Sequence, residues 1–184
     1  MRHRTDIEAA SILEIGTFDG NTALNLAVNA KRKGHVTTVD LPTDSDGLLS
    51  YDVPLRCRNV TNLREVGVQY KGTRYEGNIR QVLCDSAKLD WEKLGPFDLV
   101  FIDGCHHYDY VKTDTANSMK RLNQQGLIVW HDYGMIRDVS RLVDETARTM
   151  RVFALRGGRL AVGLPGRVDD RLRILKTSPN GDLD

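Results

Sequence analysis

The residues best able to do chemistry stand where short apolar runs end. Asp103 closes Ile102-Asp103-Gly104, Asp132 follows Trp130-His131, and His106 and His107 come shortly after Asp103. If those runs are neighbouring parallel strands, Asp103 and Asp132 enter one crevice, where their mutual repulsion favours a divalent cation between them. Magnesium suits such a pair, because it commonly takes one or two carboxylates and keeps its waters. The alternative leaves Asp103 facing a cofactor and Asp132 capping the next helix. An imidazole titrates near neutrality, so His106 can take the proton of a reacting hydroxyl, with His131 as a second candidate for base or metal ligand.

A second group of residues points to a cofactor. Gly16 and Gly20, in Leu13-Glu14-Ile15-Gly16-Thr17-Phe18-Asp19-Gly20-Asn21, allow a sharp turn from strand to helix and a close approach to a ligand at the helix N-terminus. The same two glycines also serve simply to close such a turn. Asp40 ends Val36-Thr37-Thr38-Val39-Asp40, the place from which a carboxylate accepts two ribose hydroxyls. Both a nicotinamide dinucleotide and S-adenosylmethionine offer that ribose. The dinucleotide fingerprint Gly-x-Gly-x-x-Gly wants glycine where Glu14 stands, and the Glu14 charge opposes a pyrophosphate but suits a cationic sulfonium with a free amino group. S-adenosylmethionine is therefore the expected cofactor.

Such residues need a scaffold of alternating strands and helices. Apolar runs predict strands at Ser11–Ile15, His35–Asp40, Ile79–Cys84, Phe97–Asp103 and Gly126–His131. Helical spacing predicts one helix over Asn21–Lys33, capped by Asn21 or Thr22 and ended by Gly34. A second carries Tyr108, Val111, Thr115, Met119 and Leu122 on one face, and a third carries Ile136, Val139, Val143 and Ala147. Arg151–Leu155 and Arg159–Leu164 flank Arg156-Gly157-Gly158, the spacing of a hairpin, so the parallel sheet finishes in an antiparallel strand. Right-handed crossovers then put helices on both faces and ligands at the carboxyl ends of the strands. Leu41–Arg80 lacks a clear period and is long for a connection, and Arg167–Asp184 reads as a surface tail.

The strings EIGTFDGNTALNLA, TTVDLP, LCDSAKLDW, FDLVFIDGCHHYDYVKTD and GLIVWHDYG, in this order, resemble the class I S-adenosylmethionine-dependent methyltransferases, in their small-molecule O-methyltransferase branch. The resemblance implies a Rossmann-like, seven-stranded, mostly parallel sheet with its last strand antiparallel and the helices before the first strand abbreviated. It implies that the turn of Glu14, Gly16, Thr17, Phe18, Gly20 and Asn21 wraps the methionine part of the cofactor. Asp40 and Leu41 would then lie at the ribose, Asp85 and Ser86 beside the adenine, and Asp103 against both cofactor and metal. The Asp-Gly-x-His string resembles that of metal-dependent sugar O-methyltransferases, which makes Asp103 a ligand and His106 the base; His131 stands before Asp132 where some relatives carry a second acid.

Composition bounds the rest. The chain has 184 residues, 40% hydrophobic and 28% charged, as a soluble globular protein does. Lys and Arg number 26 against 25 for Asp and Glu, with no run of one sign at either end, which argues against a nucleic-acid or membrane partner. Cys57, Cys84 and Cys105 form no CxxC pair, and no leader or membrane span is apparent, so a reduced cytoplasmic setting is expected. One methyltransferase domain over 1–164 with a tail over 165–184 is the expected organisation. Only ten residues precede Ser11, so a lid comes from Leu41–Arg80, from a second subunit of a homo-oligomer, or does not exist in this chain, with Tyr51, Tyr70, Tyr75 and Trp91 as a substrate wall or as simple packing. The expected activity is O-methylation of a small hydroxylated molecule. Competing readings are a nicotinamide-linked oxidoreductase and a non-catalytic cofactor-binding domain working with a partner.

Overall fold

The computed structural model describes residues 10–30, 34–43, 49–53 and 65–164. Apolar residues that alternate on both faces make Ser11–Ile15 (β1) the buried centre of a sheet. Leu13 and Ile15 enter the larger core, and Ile12 enters a smaller one with Ala27 and Val36. Around β1 the chain builds α1 (Asn21–Asn29), β2 (His35–Asp40), β3 (Ile79–Leu83), β4 (Phe97–Ile102), α2 (Tyr108–Arg121), β5 (Leu122–Trp130), α3 (Arg137–Thr146), β6 (Arg151–Ala154) and β7 (Ala161–Leu164). The strand order is β3-β2-β1-β4-β5-β7-β6. Strands β3, β2, β1, β4 and β5 pair in parallel, while β7 lies between β5 and β6 and is antiparallel to both. The expected seven-stranded sheet with a reversed last strand is thus the observed one.

The order reverses direction at β1, whose neighbours are β2 and β4, and an open crevice forms at such a switch point. The backbone ladder runs one residue past the strands there. Gly16 N donates to Val39 O, Asp103 N to Ile15 O, His131 N to Ile102 O and Cys84 N to Asp40 O, all at 2.8–3.0 Å. This extension sets Gly16, Asp40, Cys84, Asp103 and His131 in a row along the top of the sheet. Beneath them, Trp130, Phe97, Val100, Ile128 and Leu13 form the tight centre of the core. The buried indole N–H of Trp130 donates to Thr115 Oγ1 at 2.9 Å and so fastens α2 to β5.

Several boundaries differ from expectation for physical reasons. Helix α1 stops at Asn29, short of Lys33, with Ala30 already extended. Asn25 and Asn29 donate their side-chain amides to the carbonyls four residues back, and asparagine is a weak helix former. Neither Asn21 nor Thr22 caps α1. Gly20 occupies the N-cap in the left-handed region, and Asp19 Oδ1 accepts from Asn21 N at 3.0 Å. The buried face of α2 also turns away from the expected stripe: Met119 is exposed, while Tyr110, Asp114 and Ser118 are buried with Val111 and Thr115. Strand β5 starts four residues early, at Leu122, which pairs with Phe97 across a register shift. The expected tail over 165–184, Cys57 and much of Leu41–Arg80 lie outside the described residues. Among the described residues no helix is long and apolar enough to cross a membrane.

Gly16 has φ +100, and a Cβ there would meet the Asp103 carbonyl oxygen at 2.2 Å. Gly16→Ala is therefore expected to lower unfolding stability by on the order of 2 kcal/mol or more, measured by urea titration. A neutral substitution would mean that β1 and β4 can part at the crevice without cost.

Candidate active site

A cavity of about 650 Å³ opens at the switch point. On its β2–β3 side stand Asp40, Leu41, Cys84, Asp85 and Ser86; on its β4–β5 side stand Asp103, Cys105, His106 and His107; Gly16 and Phe18 lie between. Gly16, Phe18, Asp40, Leu41, Asp85, Ser86, Asp103 and His106, expected from the sequence, are therefore brought to one wall.

Each carboxylate is held differently. Asp40 Oδ2 accepts from Phe18 N and Oδ1 from Leu41 N, both at 2.7 Å, so two backbone amides fix its plane and leave a lone pair on each oxygen for further donors. Burial raises its carboxyl above the ordinary value, and these amides oppose the rise. Phe18 takes φ +49 to present its N–H, an uncommon backbone state for an aromatic residue, with its ring half exposed at the cavity. Asp85 is almost fully committed within the protein. Its Oδ2 accepts from Ser50 N (2.7 Å), Ser50 Oγ (2.7 Å) and Tyr110 OH (3.1 Å), and its Oδ1 from Ala87 N (3.0 Å).

Across the cavity, donors for a cation converge. Asp103, His131 and Asp132 each offer one ligand atom, all within 4.8 Å of one another. His131 Nδ1 lies 3.1 Å from Asp103 Oδ1 and 3.3 Å from Asp132 Oδ1. His106 Nε2 reaches the same pair, 3.2 Å from Asp132 Oδ2 and 3.5 Å from Asp103 Oδ1. Both nitrogens are buried atoms without a completed hydrogen bond, and with the carboxylate oxygens beside them they form a ligand set of imidazole nitrogen and carboxylate oxygen. Such a set fits a divalent cation. Contact with the Asp103 carboxylate, aided by the charge of Asp132, raises the His106 imidazole above its ordinary value against the pull of burial. Asp132 has φ +57, a left-handed conformation that aspartate tolerates better than most residues. The alternative in which its side chain caps the next helix does not hold. The Asp132 carbonyl, not its carboxylate, accepts from Met135 N and Ile136 N, and the N-cap of α3 is Ile136.

Other expected cofactor residues sit behind the wall. Glu14 is fully buried and does not line the cavity, because strand alternation sends it to the α1 face with Ile12. There Thr38 donates to Glu14 Oε2, and Thr38 Oγ1 contacts Thr17 Oγ1 at 2.6 Å, which buries Thr17 too. Gly20 and Asn21 are also off the cavity wall, since the segment after Glu65 covers the turn: Gly67 N donates to Phe18 O, Gln69 N to Asp19 O, and the Tyr70 ring packs on Gly20. The aromatic residues expected at a substrate wall are packing residues. Tyr51 stacks edge-on against Tyr110, Tyr75 joins the smaller core, and Trp91 donates to Ser86 O.

Several residues of the cavity and its surroundings escaped the sequence. Tyr110, on the wall, and Ser50 hold Asp85; Met135 and Ile136 form an exposed apolar rim; and Arg159, from the β6–β7 connection, places Nη1 3.6 Å from Asp132 Oδ1. The Tyr-x-Tyr spacing at 108–110 was the one signal available for Tyr110. Cys84 and Cys105 both line the cavity, and neither is disulfide-bonded.

With the geometry in place, comparison with known proteins becomes informative. A family model described as a methyltransferase domain matches residues 13–133. No match is found among curated protein sequences. Among solved structures, SAH-bound PaMTH1 of Podospora anserina is 15% identical with a TM-score of 0.62, over 89% of this chain and 74% of that one. The O-methyltransferase TomG of Streptomyces achromogenes, from tomaymycin synthesis and bound to SAM, is 18% identical with a TM-score of 0.53, over 86% and 74%. MycE of the mycinamycin pathway, bound to Mg, SAH and mycinamycin VI, is 18% identical with a TM-score of 0.56; 88% of this chain matches 45% of MycE. These likenesses establish a shared fold.

Burial raises the Glu14 carboxyl from an ordinary value near 4.5 up to about 8, opposed by the Thr38 hydrogen bond. A group that binds its proton more tightly when folded stabilises the fold at low pH, and that contribution is lost as pH rises through the folded value. Stability should therefore fall between about pH 5 and 8, and Glu14→Gln should flatten that decline by an amount on the order of a few kcal/mol, read from denaturant midpoints across the range. An unchanged slope in the variant would mean that Glu14 is ionised in its buried site.

Proposed function

This chain belongs to the methyltransferase-domain family, and from that premise we propose that it transfers the methyl group of S-adenosylmethionine to a hydroxyl oxygen of a small molecule, beside a divalent cation such as magnesium. One observation carries the reading: Asp103 and His106 stand across a single cavity from Asp40 and Ser86, and His131 and Asp132 converge on that same pair from the end of β5. The SAM of TomG and the Mg and SAH of MycE support the same ligands here. The family match weighs against a nicotinamide-linked oxidoreductase.

In this reading Asp40 accepts the ribose hydroxyls, its oxygens already oriented by Phe18 N–H and Leu41 N–H. Ser86 and the Asp85 backbone form the adenine end, while the bare Cα of Gly16 lets the cofactor lie close to the sheet. Asp103, His131 and Asp132 hold the cation. When bound, S-adenosylmethionine supplies an already activated methyl group, and the cation supplies positive charge that lowers the pKa of an acceptor hydroxyl. Alignment of that hydroxyl with the methyl group is the main task left to the protein. His106 Nε2 takes the hydroxyl proton, and the carboxylates beside it stabilise the imidazolium that forms. A cytoplasmic location goes with this reading, supported by the unbridged Cys84 and Cys105.

The test is a methylation assay on a panel of phenols, sugars and other hydroxylated acceptors, read by mass spectrometry with and without magnesium. His106→Ala is expected to slow turnover by roughly two to four powers of ten while leaving S-adenosylhomocysteine affinity within about twofold. Asp103→Asn and Asp132→Asn are expected to abolish manganese binding seen by electron paramagnetic resonance. A fully active His106→Ala variant would remove His106 as the base. Separately, Asp40→Ala should weaken S-adenosylhomocysteine binding by about 2 kcal/mol or more in calorimetry, the cost of losing hydrogen bonds to a charged group. Unchanged affinity would place the ribose elsewhere.

A further inference from the structure

Helix α2 turns a polar stripe inward. Tyr110, Asp114 and Ser118 follow at helical spacing, and all three are buried. The stripe faces the turn Ser86–Lys88, which forms the adenine end of the cavity in the reading above. Tyr110 donates to Asp85 Oδ2 at 3.1 Å, and one helical turn later Asp114 lies beside the Ser86 hydroxyl. Asp114 is wholly buried, and neither of its oxygens nor the Ser118 hydroxyl completes a hydrogen bond. No step of methyl transfer uses it. A buried acid left without full hydrogen bonding is costly, so its presence against a cavity wall asks for a role.

The groups that face Asp114 are few. From the turn come Ser86 and the charge of Asp85; on its own helix Tyr110 and Ser118 flank it. From α3, Asp138 and Glu145 engage Tyr108 instead, and from β5 Trp130 engages Thr115. Asp85 is thus the carboxyl group that acts on Asp114, and four donors are arranged around it. We propose that Asp114 is a positioning residue for the nucleoside end of the cavity. Uncharged, it packs against Ser86 without opposing the Asp85 carboxyl group; ionised, it sets a negative charge against Asp85 and loosens the Asp85–Ser86 turn. Burial, which pushes its carboxyl up to about 7, places the change near neutral pH.

The inference rests on the cofactor assignment above, so its test has a readout that does not need the cofactor. Amide hydrogen exchange of the unliganded protein, corrected for intrinsic rates, is followed at Ser50, Ala87 and Lys88 from pH 6 to 8.5 in wild type, Asp114→Asn and Ser86→Ala. Wild-type protection at these amides should fall with pH, by roughly fivefold or more, while Asp114→Asn keeps one value throughout. S-adenosylhomocysteine affinity should follow the same pattern in the same two proteins. Ser86→Ala should retain the pH response of protection, since Asp85 and Asp114 still oppose each other. Equal pH responses in wild type and Asp114→Asn would overturn the proposal. If protection responds as expected but wild type binds no S-adenosylhomocysteine, the positioning role stands and the cofactor assignment fails.

Discussion

The contact between the backbone of Gly16 and that of Asp103 is the constraint on which the site depends. β1 and β4 are paired so closely at their carboxyl ends that any side chain at position 16 would strike the Asp103 carbonyl. That closeness fixes Asp103, and through the ladder from Ile102 to His131 it fixes the end of β5 as well. On the other side, Gly16 N bonds Val39 O and so carries the same alignment to Asp40. Asp40 and Asp103, proposed above for the ribose and the cation, are in this way held at set positions on either side of one strand, by backbone bonds rather than by flexible side chains.

An acid-rich cavity would repel itself if every carboxyl were ionised and bare. The fold handles each differently. Asp40 is held by backbone amides and Asp85 by two hydroxyls and two amides. Glu14 and Asp114, shut away from water, are pushed toward the neutral form. Asp103, on the cavity wall, and Asp132 behind it lie beside the imidazoles of His106 and His131.

Much of this was legible from the sequence because it depends on local pattern. Phe97–Ile102 is apolar but for Asp98 and Trp130 closes Leu127–Val129, so the strands ending in Asp103 and in His131-Asp132 could be placed with those residues at their tips. The hairpin around Gly157 likewise foretold the reversed β7. What escaped depends on partners distant in sequence. Glu14 reads as a cofactor contact until the alternation of β1 and the cover of Tyr70 place it behind the wall. Asp114 and Ser118 lie off the stripe of Tyr108, Val111, Thr115, Met119 and Leu122, and nothing local says that the turn at Ser86 will bury them. Arg159 reaches Asp132 because Tyr133 N bonds the Arg159 carbonyl, a long-range bond without a local signature.

The central claim is that the crevice above β1 binds an adenosyl sulfur ligand and a divalent cation together. It is tested most directly by calorimetric titration of the purified protein with S-adenosylhomocysteine, without metal and with magnesium, using a nicotinamide dinucleotide as control. The account predicts micromolar affinity, about −8 kcal/mol, and no heat from the dinucleotide. Absence of S-adenosylhomocysteine binding in both conditions, or tighter binding of the dinucleotide, would contradict it.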